Sequence, residues 1–314
     1  MKFNYVIYHK NCLDGFAAFF LLHEAKKIEK TALIYPDVPS AKRYPPGIEN
    51  KNILIVDVAY ANDIIRDIII KANSVTFIDH HITIHEGMKD LAKKFSKLNL
   101  IYDEKMSGCT LMWKYLYGTI RPPLFIRYIE DNDIGLWRMN DCKDFITALR
   151  VKYSTKLNFK TLKKWNKLYK DSTIKKLINL GKIYGEYKAF LAEDNSKRFT
   201  LERFPSDKFY EKYSQIFKKP GQYKVAVYCG TPCPTSQDIS EFIFKNYSCD
   251  FMISWILNLE KKDYVLTFRS KHVDVGEIAK TLGGGGHKLA ASGVVKMKDF
   301  SIDELFYGNS LPRV

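Results

Sequence analysis

Through its first 135 residues the chain alternates short β-branched and aromatic runs with helical patterns, and few folds accept that rhythm. "YVIYH" (5–9), "TALIYP" (31–36), "NILIVDV" (52–58), "SVTFIDH" (74–80) and "LNLIYD" (98–103) read as strands. "DGFAAFFLLHEAKKIEK" (14–30), "ANDIIRDIIIKA" (61–72) and "SGCTLMWKYLYG" (107–118) carry the apolar spacing of helices. Strands alternating with helices predict an α/β fold with a parallel, doubly wound sheet. Residues 141–220 read as a helical, lysine-rich connector. From 221 the strand patterns return at 223–229, 249–257 and 263–270, with helices at 236–247 and 275–282, the second ending at "GGGGH". The expected organisation is therefore a first α/β domain over 1–140, a connector over 141–220 and a smaller α/β domain over 221–314. A chain of 314 residues can give each domain its own core.

No apolar run approaches the roughly 18 residues of a membrane span, and no secretory signal is read at the start, so a cytoplasmic location without a membrane is expected. Cysteines 12, 109, 142, 229, 233 and 249 contain no CxxC pair, which predicts reduced thiols and not a structural zinc site. The net charge of +15 would attract polyanions. Much of the excess sits in amphipathic helical patterns over 152–224, where lysines serve as the wet face.

Polar residues fall at one edge of the expected sheet. His9 ends the first strand, Asp57 the third, and Asp79 and His80 the fourth, with His81 following. That edge is where parallel sheets bind ligands, and core packing does not explain acids and imidazoles at the ends of separate strands. Asp14 falls at a helix N-terminus, where a carboxylate can serve as a cap. Asp131 and Asp133 follow an apolar helix in "YIEDNDIGLWR" (128–138). Imidazole and carboxylate donors suit manganese, iron or magnesium. A pair of ions ~3.5–4 Å apart needs a bridging carboxylate, and Asp57 is placed for that role.

The motifs "HKNCLDG", "VDVAY", "IDHH" and "EDNDIGLW", in that order, resemble those of the DHH phosphoesterase superfamily. The C-terminal "TFRSKHVDVGEIAKTLGGGGHKLAASG" (267–293) resembles its associated substrate-binding domain. The resemblance covers residues 5–137 and about 223–295. It implies His9 and Asp57 on one metal, and Asp14, Asp57, His80 and Asp133 on the other, Asp133 fitting the motif better than Asp131. It further implies that Asp79 orients the neighbouring histidines and that His81 faces the phosphate. Cys12 stands where many members carry an acid, which puts the first metal's ligand set in question. Arg269, Ser270, Gly284, Gly285, Gly286 and His287 are implied to hold substrate phosphate. The expected activity is metal-dependent hydrolysis of short oligonucleotides or dinucleotides, with two divalent ions, manganese first and magnesium or cobalt as alternatives. A phosphoanhydride hydrolase and an inactive nucleotide-binding module are the competing readings. The expected partner is a short nucleic acid or nucleotide, and a homodimer is left open.

Overall fold

The computed structural model describes residues 2–39, 41–230 and 236–311, so Cys233 lies outside the described residues. The chain divides into two compact units, Met1–Gly185 and Glu186–Val314.

In the first unit, β1 (Phe3–His9), β2 (Ile28–Asp37), β3 (Asn52–Val56), β4 (Ser74–Asp79) and β5 (Leu98–Tyr102) form one sheet in the order β2-β1-β3-β4-β5. Every pairing is parallel. The helices are α1 (Leu13–Glu24), α2 (Asn62–Lys71), α3 (His85–Lys94), α4 (Gly108–Tyr117), α5 (Leu124–Asp133), α6 (Cys142–Lys152), α7 (Phe159–Trp165) and α8 (Asp171–Ser196), whose residues from Glu186 belong to the second unit. Side chains alternate across each strand. Val6, Tyr8, Leu54, Val56 and Ile78 share one core with Phe16, Phe19 and Phe20 of α1 and with residues of α4, α5 and α6. Tyr5, Ile7, Ile53, Ile55 and Phe77 share another with the isoleucines of α2 and with Met88 and Leu91 of α3. Both faces of the sheet are thus covered, as a doubly wound sheet requires. Tyr8 stacks on Phe19 with ring centroids 4.7 Å apart, which keys α1 to the end of β1. Burying each such ring stabilises the unit by roughly 1.5–3 kcal/mol. Because β1 lies between β2 and β3, the chain leaves β1 toward one edge and resumes at β3 on the other side. That reversal is a topological switch point, where open α/β sheets bind ligands.

In the second unit, β6 (Thr200–Phe204), β7 (Tyr223–Cys229), β8 (Phe251–Asn258), β9 (Asp263–Ser270), β10 (Gly285–His287), β11 (Ala290–Lys296) and β12 (Tyr307–Leu311) follow the order β10-β11-β9-β8-β7-β6-β12. Only β7 and β8 pair in parallel. The sheet carries α10 (Ser236–Asn246), through Ile239 and Ile243, on one core, and α11 (Val275–Thr281) on the other. α9 (Asp207–Lys212) adds Phe209 to the α11 side.

The structure departs from the sequence reading in several places, among them the strands β6, β10, β11 and β12, which were not expected. The helix expected over 14–30 stops at Glu24, and residues from Ile28 pair with β1, beginning at Phe3. Sheet pairing wins there over a helical pattern weakened by Lys26 and Lys27. α3 falls where no element was expected, because its apolar stripe is a short one among charges. The lysine-rich residues 141–220 are shared between the units. Trp165, Leu168, Ile174 and Leu177 join the first core, and Leu201 and Phe204 lie in cores of the second. The described cysteines 12, 109, 142, 229 and 249 are free thiols. No helix among the described residues is long and apolar enough to cross a membrane.

Candidate metal centre

The ends of β1, β3 and β4 bring His9, Asp57 and His80 together at the switch point. His9 Nδ1 lies 3.3 Å from Asp57 Oδ2. His80 Nε2 lies 3.4 Å from Asp57 Oδ1 and 3.4 Å from Oδ2 of Asp133, the last residue of α5. Among the described residues, donor atoms within 4.8 Å of one another form three groups: His9, Cys12 and Asp57; Asp57, His80 and His81; Asp14, His80 and Asp133. Asp57 belongs to two of them, with one carboxylate oxygen turned to His9 and the other to His80.

Asp57 sits at φ +60°, in the left-handed region that side chains other than Gly, Asn and Asp rarely adopt. Its N–H donates to the Ile78 carbonyl at 3.0 Å, which holds the turn against β4. Such strain persists where the surroundings impose it, typically at functional sites.

Asp14 does not cap its own helix. Cys12 occupies the N-cap of α1 and makes no side-chain cap bond. Asp14 is fully buried and instead accepts the N–H groups of Gly108, at 2.6 Å, and Cys109, at 2.9 Å, at the start of α4. One carboxylate thus ties α1 to α4 and still has lone pairs turned to the cluster.

The electrostatics fit a divalent cation. Asp14 and Asp57 are buried and Asp133 beside them is half-buried, and no Lys or Arg ion-pairs with them among the described residues. Burial, then the charge of Asp14 and of Asp57, pushes the Asp133 carboxyl up to about 8. Burial and Asp57 push Asp14 up to about 6. Burial also raises Asp57, but the bonds to His80 and His9 outweigh it and hold this carboxyl at about 2. Burial lowers His80, yet its bond to Asp57 and the charges of Asp14 and Asp133 lift it to about 9. Crowded carboxylates beside imidazoles make a donor set that a hard or borderline dication would satisfy.

Asp79 is buried, and its Oδ1 accepts the backbone N–H groups of His80 and His81, at 2.7 and 2.8 Å. The same oxygen lies 2.6 Å from His81 Nδ1. That bond raises the pKa of His81, outweighing burial, which lowers it. Asp131 is not part of the cluster. Its carboxylate accepts the N–H groups of Arg138, at 2.9 Å, and Met139, at 3.1 Å, so it closes the turn after α5. Of the acids in that motif, Asp133 is the one grouped with Asp14 and His80.

In the second unit the residues expected to hold phosphate separate. The Ser270 hydroxyl accepts the N–H groups of His272 and Val273 and lies 3.4 Å from the Asp250 carbonyl, so its bonding capacity is used locally. Gly284 donates to Ala279 at 2.9 Å, and Gly285 to His287 pair with β11 as an edge strand. The glycine run is not an open loop of converging N–H groups. A Cβ at Gly284 would lie 1.9 Å from the Ser292 carbonyl oxygen, and one at Gly286 2.5 Å from that of Ala290, so these glycines permit close strand contact. Arg269 and His287 both pair in register with Ala290. Directly paired residues project to the same face, so the Arg269 and His287 side chains flank a small residue on one side of the sheet.

The sequence reading passed over Gly108. A Cβ there would lie 2.7 Å from Asp14 Oδ2 and 3.0 Å from Asp57 Cβ. The signal was present as Ser-Gly at a helix start, where Ser107 caps α4. Gly108→Ala should displace both acids. The expected result is loss of metal binding and turnover with circular dichroism unchanged, and retained metal stoichiometry would refute it.

No family model matches the chain. An uncharacterised protein of Acanthamoeba polyphaga mimivirus is 26% identical over 325 residues, spanning 96% of this chain and 72% of that protein. Among solved structures, the pGpG-specific phosphodiesterase PggH from Vibrio cholerae is similar with a TM-score of 0.54 at 14% identity, covering 94% of each chain. An exopolyphosphatase-related protein from Bacteroides fragilis has a TM-score of 0.48 at 13% identity, covering 96% of this chain and 88% of that one. The likeness to the Vibrio cholerae phosphodiesterase runs over nearly the whole of both chains and shows a shared two-unit α/β fold.

Proposed function

We propose that this chain is a metal-dependent phosphodiesterase acting on short oligonucleotides or dinucleotides. The observation that carries the reading is the His and Asp cluster at the switch point, built on the buried Asp14 and Asp57, with Asp57 shared between donor groups. In this reading His9 and Asp57 hold one ion, and Asp14, Asp57, His80 and Asp133 the other, manganese being preferred over magnesium or cobalt. When bound, such ions supply Lewis acidity at the phosphate and an acidified water. The chain's own groups bind and orient. His81 Nδ1 is engaged by Asp79, so its Nε2 is free to donate to a phosphoryl oxygen. The raised pKa of His81 favours the imidazolium, in which both ring nitrogens donate. Asp79 fixes that ring, as outer acids do for histidines at metal sites. Arg269 and His287 offer charge-assisted bonds to a further phosphate.

A substrate panel with manganese tests the reading. It should span RNA and DNA from dimers to 20-mers, cyclic dinucleotides, pyrophosphate and polyphosphate. Dimers should give the highest kcat/KM. Preferred turnover of pyrophosphate or polyphosphate would replace the phosphodiesterase reading with a phosphoanhydride hydrolase.

Cys12 gives a further test. Burial, with the charges of Asp57 and Asp14, holds its thiol well above the usual range, and a protonated thiol is a poor ligand. Cys12→Asp should lower the manganese concentration for half-maximal activity by roughly tenfold. An unchanged manganese titration would mean that Cys12 only packs.

A further inference from the structure

A groove of about 950 Å³ opens in the first unit between the outer strand β2 and the segment 41–49. Its size is within the usual ~300–1,000 Å³ of small-molecule sites. Tyr35 forms one wall, and Tyr44, Lys42 and Arg43 line it from the segment. The segment is anchored: the Tyr5 hydroxyl donates to the Pro46 carbonyl at 2.8 Å, and Ile48 is fully buried. The acids of the groove are already engaged. Asp37 accepts the Tyr60 hydroxyl and, at 2.8 Å, the Val38 N–H. Glu49 lies 3.6 Å from Lys71 Nζ, which sits 4.9 Å over the Tyr44 ring. Lys42 and Arg43 are exposed and have no hydrogen bond or ion pair among the described residues. The unmet chemistry is therefore positive charge beside an exposed aromatic face. The groove also adjoins the metal cluster, because Asp37 on its rim pairs in register with His9. Adjacent strands lie only ~4.8 Å apart.

We propose that this groove is a nucleotide subsite, separate from the metal donors, in which Tyr35 stacks a base and Lys42 and Arg43 hold a phosphate. An aromatic ring joined to an anion is the ligand class that matches both features. That the bound nucleotide is the one flanking the cut rests on the phosphodiesterase reading above. Binding by itself does not.

The test uses the full chain, with Lys42→Ala/Arg43→Ala and Tyr35→Ala variants. Adenosine monophosphate is titrated by calorimetry in excess chelator, with inorganic phosphate and adenosine as separate probes. Dinucleotide kcat/KM is then compared with that on bis(p-nitrophenyl) phosphate, which carries no nucleobase. The double variant should bind adenosine monophosphate roughly tenfold or more weakly. Its ratio of dinucleotide to bis(p-nitrophenyl) phosphate kcat/KM should fall by a similar factor. Tyr35→Ala should weaken adenosine monophosphate but not inorganic phosphate. Equal binding by wild type and variants, or no binding by wild type, overturns the subsite. Variant-sensitive binding without any dinucleotide turnover by wild type keeps the binding site and overturns the phosphodiesterase reading.

Discussion

Asp57→Asn should lose both metal ions and reduce turnover by on the order of 10³-fold or more, since metal catalysis is worth several kcal/mol and each ~1.4 kcal/mol is tenfold. Asn is chosen because it tolerates the left-handed backbone at φ +60°. The substitution then removes charge without adding strain, and the folded sheet should persist. Both carboxylate oxygens of Asp57 are in use, one facing His9 and one facing His80. An amide offers a single weaker donor oxygen, and its NH₂ faces an imidazole. Metal analysis of the purified variant, with turnover of a dinucleotide, checks the result. Two ions and normal turnover would show that Asp57 does not bridge.

Metal affinity should fall steeply on acidification, by about 10- to 100-fold per pH unit between pH 8 and pH 6. The sign follows from the proton inventory of the metal-free cluster. Asp133 is raised to about 8 by burial and by its acidic neighbours, and His80 is raised to about 9 by its carboxylate partners despite burial. Both groups therefore carry protons at neutral pH, and an ion must displace them to use their donor atoms. Below both values two protons are released per binding event, and each contributes up to tenfold per pH unit. Asp14, at about 6, adds a third only near the acidic end. Calorimetry in buffers of different ionisation enthalpy counts the protons directly. Asp133→Asn should lower that count by about one. A pH-independent affinity would show that these groups are not ligands.

Much of the centre was legible because its signals are local. His9, Asp57, Asp79 and His80 each follow an apolar strand run, and period-2 patterning places such residues at a strand end without any knowledge of neighbours. The local pattern near Trp137 offered the acids only as a pair, and the family motif favoured Asp133. The bonds to Arg138 and Met139 add that the turn consumes the Asp131 carboxylate. The packing of the glycine run was not legible for a related reason. Gly284 and Gly286 lie close against β11, while a Cβ at Gly285 would meet nothing within 4 Å. Gly108 went unread because its constraint comes from Asp14 and Asp57, residues 94 and 51 positions away in sequence.

The sequence alone determined the donor chemistry and the strand-helix rhythm, since residue type and periodicity are properties of short stretches. The tertiary structure alone decided the strand order β2-β1-β3-β4-β5. That order sets His9 beside Asp57 at the switch point, turns Asp14 onto α4, and leaves the groove beside Asp37. Strand order and close backbone approach are settled by packing between distant segments, as two helical layers compete to cover one sheet, and no local pattern encodes the outcome.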